Sequence, residues 1–272
     1  LGASEEHVVA KNVLEIRQSR IAHVNGHLEG LDEKKWVSYI EHNIGSPKNC
    51  VATLSDHRLG RAIGSWFDCG NLAEAKANFY VAALLDKKYF YMDHSTAGPL
   101  GIFQRLLKPL VSDNEKIIRW FAMCDEQYDK ARIDKHKTLD FLAFQALLAL
   151  RGEWDRLGAR SKMALSDPPS ASSFKKYLTD HRFYLALAGG NVKEMESVLV
   201  EMTQAKALAA RKNDEHVFTD DLILTPAVIY AKIAWRHGYQ VKPNSAYIPQ
   251  EWLPVEPLAN YDCHYPFLKE MA

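Results

Sequence analysis

A chain of 272 residues that is 47% hydrophobic has ample material for a continuous core, and its length fits one large domain or two small ones. Lysine plus arginine and aspartate plus glutamate both number 34, so the formal net charge is zero at pH 7. That balance removes any whole-molecule attraction to nucleic acid or to an anionic membrane, and a charged partner has to be met by a local patch.

Taken in chain order, the signals are helical throughout. Ser4 with Glu5 and Glu6 predicts a helix to about residue 24, with Val9, Val13 and Ile16 on one face, and Asn25-Gly26 reads as the turn that ends it. Asp32 is a candidate cap for a second helix that turns Trp36, Tyr39 and Ile40 inward. Gly45-Ser46-Pro47 reads as a break before a helix over 55–67. Gly70 precedes an alanine-rich helix over 72–85, Ser112-Asp113-Asn114 starts one over 115–123, and Gly152 separates helices over 139–150 and 154–165. Gly190 stands between 183–188 and a long helix over 192–208. These joints recur roughly every 40 residues, the period of helix-pair repeats. No alternating pattern is long enough for a strand, so the expected fold is all-α. The finer expectation is a stack of antiparallel helical hairpins, either an α-solenoid of tetratricopeptide-like type or an irregular helical bundle. One domain over 1–272 is expected, with the Pro/Ser loop 167–173 marking a possible subdivision into 1–166 and 174–272.

The segment 225–238 has the clearest boundaries. Thr225 is a candidate N-cap, Pro226 suits the first turn and Gly238 the left-handed stop, while Lys232 and Arg236 are expected to form a narrow polar stripe on an otherwise apolar core helix. Residues 240–272 carry five prolines among aromatic side chains, which predicts an extended tail packed back on the helices.

Candidate chemistry is sparse. Asp93-His94-Ser95 and Asp262-Cys263-His264 hold the ingredients of nucleophilic triads, but sequence neighbours seldom reach opposite sides of one imidazole. His23 and His27 stand four apart across the expected turn, with no third ligand, and no H-E-x-x-H is present. Gly98-Pro99-Leu100-Gly101 lacks the lysine of a phosphate loop and reads as a helix start. Cys50, Cys69, Cys124 and Cys263 form no C-x-x-C pair, so free thiols are expected. In the basic run 129–137 aspartates are interleaved, as in a solvated loop rather than a nucleic-acid stripe. No catalytic, cofactor or metal residue is therefore assigned. The candidate binding residues are Asp214, Glu215, Phe218, Asp220 and Asp221, an acidic rim with an apolar anchor suited to a basic protein partner. No apolar run reaches the roughly 20 residues of a membrane helix, and Leu1-Gly2-Ala3-Ser4 lacks the pattern of a secretion signal, so a cytoplasmic location is expected.

Four stretches carry a family resemblance: Phe79-Tyr80-Val81-Ala82-Ala83 with Gly70 before it, Leu110 through Ile118, Thr225-Pro226-Ala227-Val228 through Gly238-Tyr239, and Ile248-Pro249-Gln250-Glu251-Trp252-Leu253-Pro254. With them the chain resembles the immunity protein 49 family, all-helical proteins encoded beside bacterial polymorphic toxins. The resemblance covers about the C-terminal three-quarters; residues 1–50 match nothing in it. It implies a non-catalytic protein that binds and neutralises a cognate toxin domain. The alternative from architecture alone is a helical-repeat scaffold or regulator of a peptide or protein partner.

Overall fold

The structure, a computed structural model, describes residues 2–92 and 98–272, with side chains from residue 13 onward. It is all-helical, with no strand among the described residues. In the N-terminal half run α1 (Gly2–Glu29), α2 (Glu33–Glu41), α3 (Pro47–Phe67), α4 (Leu72–Met92), α5 (Pro99–Gln104), α6 (Leu107–Ser112) and α7 (Glu115–Ala122). Then follow α8 (Leu139–Arg151), α9 (Trp154–Ser166), α10 (Leu178–Ala188), α11 (Val192–Met202), α12 (Ala205–Arg211) and α13 (Thr225–Arg236). No described helix is long and apolar enough to cross a membrane.

Short polar side chains set several helix starts, at Asn114 as expected and also at Thr138 and Asn191. Asn114 accepts from the amide of Ile117 at 3.1 Å, Thr138 from that of Phe141 at 3.2 Å and Asn191 from that of Glu194 at 3.2 Å. At the other ends Gly152 and Gly190 take left-handed φ values of 71° and 66°. Asp113 does the same at φ 57° after α6, a conformation a short polar side chain tolerates.

Several boundaries differ from expectation, each for a tertiary reason. α1 does not stop at Asn25-Gly26 but continues to Glu29, because Val24 is fully buried and the helix packs along α3. His23 and His27 thus share one helix face, ring to ring at 4.5 Å. α3 starts at Pro47, since a proline in the first turn forfeits no helical hydrogen bond. The long helix over 192–208 is instead two, α11 ending at Met202 and α12 opening after Gln204.

α3 and α4 form the closest antiparallel pair, with α2 against α3 and α6 against α4. α9 packs on α10 across the Pro/Ser loop, and α11 follows on α10. α13 inserts among α5, α6, α8 and α11, and its residues from Thr225 to Ala234 are all buried. Buried apolar side chains from Val51 to Leu268 join in one cluster. Beyond Val241 the chain forms only two short 3-10 turns, Gln250–Trp252 and Pro266–Leu268. The indole of Trp252, fully buried, meets Phe79 edge-on at 5.3 Å and also touches Trp66 and Phe67.

Lys232 overturns the polar-stripe expectation: it is completely buried, and only Arg236 reaches the surface. Its ammonium lies 2.5 Å from Asp113, whose other oxygen is 2.9 Å from Lys76. The same two lysines donate to the carbonyls of Pro254 and Glu256, and Asp113 accepts from the Glu256 amide. A buried charge cluster therefore ties residues 253–256 to α4, α6 and α13.

Candidate functional site

The acidic segment 214–221 lies before α13, and its acidic side chains are half-buried and engaged by partners within the fold. Glu215 supplies the cap that Thr225 was expected to provide. One carboxylate oxygen accepts from the Thr225 amide at 2.9 Å, the other from the hydroxyls of Thr225 at 2.7 Å and Thr219 at 3.0 Å. The N-cap position itself is Leu224. Burial pushes the Glu215 carboxyl up to about 7, against the hydrogen bonds that favour its charged form. Asp214 pairs with Lys176 at 2.7 Å and accepts from the Tyr177 hydroxyl. Asp220 and Asp221 both take Arg20 of α1, at 2.7 and 3.0 Å. Phe218 is 8% exposed, packed over Gly60 and against the rings of His27 and His216. The structure thus brings the five candidate residues together and engages them as a clasp joining α1, α3, α13 and the turn before α10. Val217, 45% exposed, is the one apolar side chain of the segment that faces out.

A cavity of 210 Å³ opens beside the clasp, lined by Asp56, Gln104, Arg105, Lys108, His216, Thr219 and Thr225 with Leu59 and Leu107. Its polar groups are engaged with one another. His216 accepts the Phe218 amide on Nδ1, which leaves the proton on Nε2, 3.4 Å from Asp56. Burial works against the Asp56 carboxylate, but His216, Lys108 and Arg105 together hold it below the usual range. Lys108 donates to Ser55 and Asp86 at 2.7 and 2.9 Å, and Arg105 to Asp86 at 3.0 Å. Ser55 donates to Asp86 at 2.7 Å, so the Ser55–Lys108 contact serves an ion-pair cluster and its hydroxyl is oriented away from the cavity chemistry.

Asp262-Cys263-His264 does not assemble a triad: His264 turns to Glu33 at 3.4 Å, Asp262 caps the His264 amide, and the Cys263 thiol approaches the Tyr265 carbonyl. Asp93-His94-Ser95 lies outside the described residues. No group of three metal-binding side chains occurs among the described residues, and the four cysteines are free. The basic run is a loop whose cations meet acids, Arg132 with Asp140 and Lys137 with Asp167. Asp134 from the same run takes Arg160.

A different surface stands out at the end of α4 and along α7. Tyr91 is 57% and Met123 70% exposed, with the half-buried Trp120 beside them. The Trp120 indole donates to the Tyr91 hydroxyl at 3.1 Å, which fixes both rings. They flank a groove of 500 Å³ that Lys87, Lys116, Arg119, Cys124 and Glu126 also line. Sequence reasoning missed it. Its contributors lie some thirty positions apart, and the only local signal was the Trp120-Phe121 pair with Met123 at the end of a short helix. The buried Asp180–Arg211–Tyr230 set was equally hidden, with Tyr230 donating to Asp180 at 2.6 Å.

Compared with family models, with curated proteins and with solved structures, the chain matches none.

Proposed function

We propose that this is an immunity protein, which binds a cognate toxin domain in the cytoplasm and neutralises it by stoichiometric contact, without catalysis. The observation that carries the reading is the exposed pair Tyr91 and Met123 beside Trp120. Rigid aromatic rings and adaptable methionines at the surface are the side chains that anchor protein interfaces, whereas in an isolated chain they leave apolar area in water. The resemblance through residues 225–239 and 248–254 supports the same reading. So does the commitment of His216, whose two ring nitrogens are occupied by Phe218 and Asp56 and leave it no role as a base.

The second reading, a helical-repeat scaffold that grips a peptide, is favoured by the order of packing from α8 to α11, where each helix lies against its chain neighbours as in a repeat array. Co-expression with the toxin domain encoded beside this protein's gene separates the two. An immunity protein restores growth and co-purifies with the toxin in a fixed ratio. Unrelieved toxicity with both proteins present at comparable levels refutes it and leaves the scaffold.

A further inference from the structure

We propose that the groove between α4 and α7 is the docking surface for an acidic segment of a protein partner, one that carries aromatic or long aliphatic side chains between its carboxylates. This rests on reading the protein as a binder, and adds the face used and the chemistry of what is met there.

The apolar half of the recognition comes from the groove's floor and rims. Phe90 stacks on Trp120 at 5.9 Å, Phe121 lies edge-on to Trp120 at 4.9 Å, and Tyr91 and Met123 project from either side. A ring or a leucine laid between them is covered on several faces at once, the condition under which an interface side chain contributes most. The charged half is one-sided. Lys87, Lys116 and Arg119 line the groove against a single lining carboxylate, Glu126. Glu115, one turn before Arg119 on α7, is shared between Arg119 at 2.8 Å and Arg236 at 2.6 Å, so it neutralises neither fully. The described lining thus carries three cations against one carboxylate.

The two lysines sharpen the point. Lys87 reaches the Met271 carbonyl at 2.7 Å and lies 5.6 Å from the Trp120 ring centre, while Lys116 donates to an oxygen of Ala272, the last residue. A peptide carbonyl oxygen carries only partial charge, so the Lys87 ammonium keeps its attraction for a carboxylate brought to that end of the groove. Burial, and after it repulsion from Lys116, already hold the Lys87 ammonium below its ordinary range, as expected where positive charge is concentrated and partly desolvated.

The test uses two fluorescein-labelled dodecapeptides, one alternating glutamate with tryptophan and leucine, the other with lysine in place of glutamate. Both are titrated with the full-length protein and followed by anisotropy. The acidic peptide is expected to bind at least about tenfold more tightly than the basic one, and to weaken as salt rises. Arg119→Glu and Met123→Asp, made separately at positions that are 78% and 70% exposed, should each weaken it at least about fivefold while leaving the circular dichroism unchanged. Equal binding of the two peptides, or binding insensitive to both variants, overturns the proposal. So does a wild-type protein that ignores the peptides and binds phosphatidylglycerol vesicles instead. The growth assay judges the other claim: a protein that protects cells while failing the peptide test is an immunity protein that uses another face.

Discussion

Glu215 makes stability depend on pH in a direction opposite to most paired acids. Its carboxyl titrates near 7 in the folded chain, against an ordinary glutamate at 4.5. Between these values the folded state holds a proton that the unfolded state has lost, so stability is greatest at low pH and falls as pH rises through this window. A gap of that size is worth about 3 kcal/mol once pH exceeds 7. Glu215→Gln keeps an oxygen for the Thr225 amide and offers an NH2 to the hydroxyls of Thr219 and Thr225, which can accept as well as donate. It removes only the titration. Urea unfolding of both proteins at about pH 5 and about pH 8.5 reads the difference directly, other titrating groups being common to the pair. The variant's advantage over wild type should grow by about 3 kcal/mol between the two conditions. With a slope of about 3 kcal/mol per molar urea, that is about 1 M in the relative midpoints. Parallel pH profiles for the two proteins would refute the inference that a desolvated carboxyl caps α13.

Three further outcomes follow from the packing. Trp252→Ala empties a fully buried site between Trp66, Phe67 and Phe79 and should cost about 3–5 kcal/mol, whereas Trp235→Ala, at a half-buried ring, should cost less; thermal or urea midpoints rank them, and the reverse order would show that 248–254 is dispensable. Asp220→Lys combined with Asp221→Lys repels Arg20 and should speed hydrogen exchange across the second half of α1, with α8 unaffected; unchanged exchange in α1 would mean the clasp does not hold it. Lys232→Met strands Asp113 with Lys76 alone and leaves the Pro254 carbonyl without its donor, a loss of about 3 kcal/mol, and adding Asp113→Asn should recover part of it. A double variant less stable than Lys232→Met by itself would contradict the cluster's wiring.

How much of this was legible in the sequence divides along physical lines. Caps and stops are local, and Asn114, Thr138, Gly152, Asn191 and Gly190 act where their residue types predict. Helix ends decided by packing were not legible: Gly26 sits inside α1 because the neighbouring Val24 buries against the rest of the fold, which no local rule encodes. Buried ion pairs were the least legible. Lys232 in an apolar helix looks like a surface residue until Asp113, over a hundred positions away, is brought to its ammonium. The acidic run 214–221 failed as a guide to exposure for the same reason, since its partners Arg20 and Lys176 lie far off in the chain.

That failure bears on the sign of the partner. Composition is balanced at 34 against 34, and an acid paired inside with a distant cation removes one charge of each sign, so the sign of any patch is a local matter. For the segment 214–221 to greet a basic partner, Asp220 and Asp221 would have to release Arg20 and Asp214 release Lys176, and binding would be charged for each broken pair. The α4–α7 groove asks for less exchange: Lys87 rests on a carbonyl, Arg119 shares Glu115 with Arg236, and the rings of Trp120 and Tyr91 are already ordered. Two charge reversals therefore decide between the surfaces. Arg119→Glu should weaken capture of an acidic partner at unchanged stability, while Asp220→Lys with Asp221→Lys should loosen α1 before it affects any partner; a toxin complex that survives the first and is lost with the second, α1 remaining intact, would return the interface to the acidic segment.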